Sequence, residues 1–460
     1  MYPRCPVCHR PVLRLVMERL RRRLPAVATG VALLGAAALP LRADPAEPEL
    51  LTPPKGPPLS DNLGQALDLP PWFGLAAGYT AEPMGNTAGG LVRTGSWADQ
   101  LDLEVSVGSG SDQDGWRLRA SLANLLGTPL FNRQIGALFP LQQVSNPQGF
   151  WLQGLWLEHQ RGDLVLRAGD NLNLNASVGA PVYEWYVNGM INDTLNLALP
   201  GLPLAPWNSL GATADVPLAP GLSAHYGAFQ LSSLRAPGRA DAFRGWRFNA
   251  DRNDGVVQAL RLDWSPGPSG APLAACRDPE APWLLQRARP GCSDPVQLAS
   301  QLPDPLVQLG ALSGSWTFPQ LANPRRVERN ANVLFAHATV PLALPVGHGS
   351  RLWATGVAGL EPAVNPVTSV LMGGLLVQGP LPHRPFDQLV LGLARSGLSP
   401  DLRDSGGRSF SSESAVEVDY ILRINSKLAL QPGVQWILNP GGSGRLPDVV
   451  APGLQISLTF

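Results

Sequence analysis

The sequence predicts an all-β fold, a transmembrane antiparallel β-barrel behind an N-terminal signal peptide. Three observations carry that expectation. A basic and then apolar leader opens the chain, no apolar run of about twenty residues follows it, and long strand-like segments alternate between an apolar and a charged face.

The leader comes first. MYPRCPVCHRPVLRLVMERLRRR is followed by VATGVALLGAAALPL and then LRADPAEPEL. A basic region, an apolar segment too short to span a bilayer as a helix, and small residues at Leu41-Arg42-Ala43 make up a secretory signal, so residues 1–43 are expected to be removed after Ala43. A start at Met17 also yields a complete signal. CPVCH, at Cys5 to His9, is spelled like a haem-attachment or half-zinc motif, but it leaves with the leader, and no metal or cofactor is expected. Residues 44–77 read as a Pro-rich periplasmic lead-in, and residues 78–460 as the barrel.

Loss of residues 1–43 removes eight arginines and one glutamate, leaving 27 basic and 34 acidic residues. A net charge of about −7 with no basic tract excludes nucleic acid as a partner, because phosphate binding needs clustered positive charge. Cys276 and Cys292 sit in a Pro-rich stretch with no strand pattern; in an oxidising compartment they are expected to bridge and close one surface loop.

The strands follow in order. In LDLEVSVGSGSDQDGWRLRASL, Leu101, Leu103, Val105 and Val107 oppose Asp102, Glu104 and Ser106; after a turn, Trp116, Leu118, Ala120 and Leu122 oppose Arg117, Arg119 and Ser121. A symmetric hairpin would set Glu104 against Arg119 and Ser106 against Arg117. LWLEHQRGDLVLRAGD turns at Gly162-Asp163 and sets Glu158 against Arg167, with Leu157 and Ala168 outside. VVQALRLDW places Arg261 and Asp263 between Leu260, Leu262 and Trp264. VEVDYILRINSKL gathers Glu417, Asp419, Arg423, Asn425 and Lys427 with Ile421 on one face, opposite Val416, Val418, Tyr420, Leu422, Ile424 and Leu428. GLQISLTF alternates throughout, ending on Phe460.

Membrane physics explains the combination. In hydrocarbon every backbone N–H and C=O must pair, so strands span only as a closed barrel, apolar outside and free to be wet and charged inside. In a water-soluble sandwich the apolar faces would need a second sheet, and strands average about five or six residues.

The residues also resemble a family. AVNPVTSVLMGGLLVQGPLPHRPFDQLVLGLARS, LALQPGVQWILNPGG and the terminal GLQISLTF are similar to the closing part of the OprB-type carbohydrate-selective porins. YTAEPMGNTAGGLVRTGSWADQLDLEV, LFPLQQVS and WLEHQRGDLVLRAGD are similar to its opening strands, so the likeness covers most of 78–460. The resemblance implies a barrel of about sixteen strands in the bacterial outer membrane, embedded in outer-membrane lipid, through which small sugars diffuse passively, with no catalysis. Phe460 is similar to the terminal aromatic by which barrel-assembly machinery recognises its clients. A homotrimer is left open. The cysteine pair that relatives carry after the early hairpins is missing from APVYEWYVNGMINDTLNLALPGLPLAPWNS, which leaves the constriction loop undefined.

A neutral, hydroxyl-rich solute exchanges its hydration for donors and acceptors held side by side. Asp102, Glu104, Arg117, Arg119, Glu158, Arg167, Arg261, Asp263, Glu417, Asp419 and Arg423 are the pore-lining candidates that supply both kinds; each could equally brace the wall as an ion pair. Tyr183, Trp185 and Tyr186 either fold inward, where rings would meet the C–H faces of a pyranose, or belong to a membrane-interface girdle. His159, His225 and His337 lie on strand-like segments with no partner at metal spacing, and no nucleophile-elbow, HExxH or phosphate-loop motif occurs. Two other functions stay open: a weakly selective, ion-permeable channel of the same fold, and a secreted soluble β-protein that binds sugar or adheres.

Overall fold

The computed structural model describes residue 63 and residues 67–459, except 71, 112–113, 146, 173, 193–197, 200–208, 233–243, 247–252, 267–301, 348, 383, 385, 405 and 425–426. The leader, both of its cysteines, Cys276, Cys292 and Phe460 therefore lie outside the described residues.

Sixteen strands form one closed barrel, each paired antiparallel with its neighbours in sequence and β1 closing on β16. They are β1 Phe73–Gly85, β2 Gly95–Ser111, β3 Asp114–Gly127, β4 Gly149–Arg161, β5 Leu164–Leu172, β6 Ser209–Ala219, β7 Leu222–Leu231 and β8 Gly255–Trp264, then β9 Leu306–Pro319, β10 Val327–Pro341, β11 Gly349–Gly359, β12 Val367–Gln378, β13 Gln388–Leu398, β14 Ser412–Arg423, β15 Leu428–Leu438 and β16 Val449–Thr459. Closure pairs every edge, which is the only way a sheet can rest in hydrocarbon.

The two-residue period turns the usual burial rule inside out. Along β14 the charged face, Glu413, Glu417, Asp419 and Arg423, is buried, while Val416, Val418, Tyr420 and Leu422 are half-exposed. Leu101, Val107, Trp116, Leu118, Leu157, Leu260, Leu262 and Trp264 are likewise exposed on the outside. An apolar band of this kind suits lipid and not water, so the soluble alternative falls.

Two sequence expectations are corrected. The first strand begins at Phe73, inside the stretch read as lead-in, because β1 pairs with β2 from Phe73↔Val107 onward. The first hairpin closes later than the symmetric reading placed it, around Ser111↔Asp114, so Ser106 faces Arg119, Gly108 faces Arg117 and Glu104 faces Ser121. The second hairpin pairs Glu158 with Arg167 as expected.

Connections of two residues join β2 to β3, β4 to β5 and β6 to β7 at one end, which also carries the long 265–305 connection, whereas the opposite end has no two-residue turn and carries 128–148, 173–208 and 232–254. Short turns face the periplasm and long loops the outside in such barrels, which orients the chain. Two long connections turn back into the lumen. The first contains α1 (Asn132–Ile135); the second contains α2 (Asn175–Val178), a 3₁₀ turn over Pro181–Trp185 and α3 (Gly189–Asn192). Buried Leu130, Ile135, Leu141, Val182, Met190 and Ile191 pack with inward residues of the far wall into one apolar cluster. Large inward rings lie flat on wall glycines: a Cβ at Gly392 would stand 2.5 Å from Tyr186 Cε1, so only glycine lets the second inward segment approach β13.

Candidate functional site

The lumen wall divides into two regions, one covered by the inward segments and one left partly open. The open part lies on β2 to β6. There the strands carry one charged group each at neighbouring height, and consecutive signs alternate. Arg119 Nη1 on β3 donates to Glu104 Oε1 on β2 at 2.8 Å, and Arg119 Nε donates to Glu158 Oε1 on β4 at 3.0 Å. Arg167 on β5 donates from Nε to Glu158 Oε2 and from Nη1 to Asp215 Oδ2 on β6, both at 2.8 Å. Glu158 is almost covered, but the heads of Glu104, Arg119, Arg167 and Asp215 keep 24–33% of their side-chain surface. Strands lie about 4.8 Å apart, so one long side chain per strand can reach both neighbours, and period-two alternation points all of them into the lumen.

The belt ends in a polar chain. Asp215 Oδ1 lies 2.5 Å from His225 Nδ1 on β7, and His225 Nε2 lies 2.7 Å from Ser177 Oγ in α2. This contact ties the second inward segment to the wall, with both Ser177 and His225 buried. Beyond it, Arg261 on β8 grips Asp263 through Nε and Nη2 at 2.7 and 2.8 Å, and Arg261 is itself nearly covered.

The covered part of the wall uses charge differently. Glu417 is 0% exposed; its Oε1 accepts the Val187 amide at 2.7 Å, and both of its oxygens lie 3.2 Å from the Asn188 amide. Gln431 donates to Asp419 Oδ2 at 2.9 Å and to the Trp185 carbonyl at 3.1 Å. Glu413 accepts the amides of Leu138 at 2.9 Å and Phe139 at 3.4 Å, and Glu82 accepts that of Val144 at 2.9 Å. Asn188 donates to Gln435, which donates to the Leu141 carbonyl, so the two inward segments share an anchor.

Of the pore-lining candidates, Glu104, Arg119 and Arg167 are partly open to the lumen and joined in the belt, with Glu158 at its centre. Asp102 and Arg117 are half-buried on the same lumen face, Asp102 accepting from Gln100 at 2.6 Å. Glu417, Asp419 and Arg423 point inward but are covered, as is Arg261, so they brace the inward segments or the wall and do not line free space. Trp185 is 2% exposed within the second inward segment. That placement rules out the girdle, and its ring is closed to solute as well. Tyr183 donates to or accepts from Thr355 Oγ1 at 2.8 Å, and Tyr186 donates to the Leu391 carbonyl at 2.9 Å while accepting from Trp353 Nε1 at 2.7 Å. Burial raises both phenols above their ordinary range, which keeps them neutral donors.

Sequence reasoning missed Asp215, His225 with Ser177, Glu82, Glu413 and the glutamines Gln431 and Gln435. Two were accessible. ATADVPL alternates Thr213 and Asp215 against Ala212, Ala214 and Val216, and Glu413 continues the face of Glu417 and Asp419 two steps upstream.

Residues 93–460 match the family described as carbohydrate-selective porin, OprB family. Among solved structures, the high-pH form of Pseudomonas putida OprB is similar at a TM-score of 0.68 and 17% identity, covering 86% of this chain and 96% of that one. The low-pH form aligns with a TM-score of 0.47 at 13% identity, covering 89% of this chain and 100% of that one. A mutant of the Rh. blastica porin aligns at 0.43 and 8%, covering 84% and 100%. No curated protein matches the chain. With a match over most of its length and a closed sixteen-stranded barrel whose charges face inward, the chain belongs to the OprB family of carbohydrate-selective porins, passive diffusion channels for small sugars in the bacterial outer membrane.

Proposed function

We propose that the solute path runs between the open belt on β2 to β6 and the inward segments, with Glu104, Arg119, Arg167 and Asp215 as the groups that handle sugar hydroxyls and Glu158 as the nearly covered carboxylate that holds the two arginines in place. The observation that carries this reading is the alternation of carboxylate and guanidinium heads along the belt, with Glu104, Arg119, Arg167 and Asp215 partly exposed around the nearly covered Glu158. Paired donors and acceptors replace the hydration of a neutral sugar, and their mutual neutralisation keeps any one ion charge from being strongly favoured. Engagement of each head by its neighbour keeps binding weak, which passage requires. The chain's role is diffusion, not catalysis.

Planar-bilayer recording tests this. Millimolar glucose or maltose is expected to reduce the ion current of the wild type, and Arg119→Gln to weaken that block about tenfold, the worth of one charged hydrogen bond of about 1.5 kcal/mol. Current indifferent to sugar would favour the weakly selective channel.

Several further assignments belong to the same reading. Residues 1–43 act as the cleaved signal and the stretch before Phe73 as a lead-in, which N-terminal sequencing of the outer-membrane form checks. Cys276 and Cys292 form a disulfide, read by mass with and without reductant. Whether three copies assemble is read by light scattering in detergent. Phe460 serves as the signal for barrel assembly. Deleting it is expected to cut the outer-membrane yield severalfold; undiminished yield would remove that role.

A further inference from the structure

The outer wall of the barrel carries a groove of about 460 Å³ spanning β11 to β15, on the face opposite the lumen. Its floor is Ala354, Gly356 and Gly373, and its sides include Leu371 and Leu393, both exposed. Small residues beside large ones leave a trough one side chain deep. The register makes it continuous, running Gly356↔Leu371↔Arg395↔Ser414 in one row and Ala354↔Gly373↔Leu393↔Val416↔Trp436 in the next.

Arg395 lines the same groove and is exposed. Alternation places its side chain outward, since Ala394 and Ser396 beside it are buried on the lumen face. Among the described residues no group forms a hydrogen bond or ion pair with its guanidinium. An arginine on the lipid face costs about 2–4 kcal/mol at the bilayer midplane and about 0–1 near the interface. Its position fits the interface: Arg395 lies one row beyond the half-exposed Trp436, toward the 399–411 connection at the long-loop end. Trp at such a height marks the aromatic girdle, so the guanidinium reaches the headgroup layer of the outer leaflet while the apolar trough descends from it.

We propose that this groove binds an acyl chain of a phosphorylated glycolipid of the lipid A class, with Arg395 pairing the lipid's phosphate. The charge sets the choice: a second apolar barrel face would leave the guanidinium unmatched, and a zwitterionic phospholipid offers one phosphate already balanced by its own ammonium, whereas the uncompensated phosphates of a lipid A-class glycolipid take it in paired donors.

The test is native mass spectrometry of the delipidated full-length protein in detergent, titrated with bis-phosphorylated lipid A, its dephosphorylated form and phosphatidylethanolamine. Arg395→Gln is expected to weaken retention of the phosphorylated lipid about fivefold, the equivalent of about 1 kcal/mol for one charge at a membrane surface, and to leave the dephosphorylated form unchanged. Arg395→Lys, which keeps the charge but not the paired donors, should fall between the wild type and Arg395→Gln, and Ala354→Leu, which fills the trough, should weaken both acylated forms. Unshifted mobility on unboiled gels confirms that each variant folds. Retention of lipid A unchanged in Arg395→Gln and Ala354→Leu overturns the proposal. So does a changed oligomer mass in Ala354→Leu with lipid retention intact, which would make this face a contact between copies.

Discussion

Replacing Glu417 with alanine is expected to raise the single-channel conductance and make the open level noisy, because this carboxylate fastens the second inward segment to β14. It accepts the backbone amides of Val187 and Asn188 in a site with no exposure. A hydrogen bond is worth about 1 kcal/mol net, so loss of both removes roughly 2 kcal/mol of anchoring and leaves two buried N–H groups unpaired. Tyr186, Tyr183 and Asn188 still hold the segment, which makes partial release the expected state and not its ejection. Glu417→Gln keeps one acceptor oxygen and should fall between the wild type and Glu417→Ala. Conductance equal to the wild type in both variants, with the barrel folded, would mean that the segment bearing Trp185 does not narrow the path.

Glu158→Gln is expected to shift ion selectivity toward anions. Among the described residues Glu158 is the one carboxylate shared by Arg119 and Arg167, and it holds each through a separate oxygen. Its neutralisation leaves the middle of the belt with one extra positive charge while an amide oxygen still accepts one of the two bonds. A unit charge acting at about 8 Å across a wet lumen is worth about 0.5–1 kcal/mol, so the anion-to-cation permeability ratio should rise about two- to fivefold, read from the reversal potential in a salt gradient. The effect should shrink as ionic strength rises through about 0.15 M, where screening acts over about 8 Å. An unmoved reversal potential at low salt would place the conducting path away from this wall.

The two carboxylates illustrate what a sequence can and cannot disclose. Glu104 and Glu417 stand in the same local pattern, an acidic residue flanked by Leu103 and Val105 in one case and by Val416 and Val418 in the other. Alternation correctly turns both inward. Nothing local distinguishes the half-open Glu104 from the covered Glu417, since the cover arrives from residues 187–188, some 230 positions away. Hairpin register shows the same limit on a smaller scale. The expected partnership of Glu104 with Arg119 does form, yet as a diagonal contact, because the turn closes beyond the midpoint that symmetry would choose. Tyr183, Trp185 and Tyr186 carried two possible placements in the sequence, and the glycines of β12 and β13 decided between them by leaving room for Tyr186 against the wall.

The amino-acid order alone settled the inside-out barrel, its lipid and lumen faces and the mixed charge of its interior. Side-chain direction in a strand depends only on parity along the chain, and the hydrocarbon admits no open edge. Which charges remain open to solute and which hold the inward segments was decided by tertiary structure. That division depends on which strands stand side by side around the closed ring and on where two distant loops descend into it, and both are relations between residues far apart in the chain.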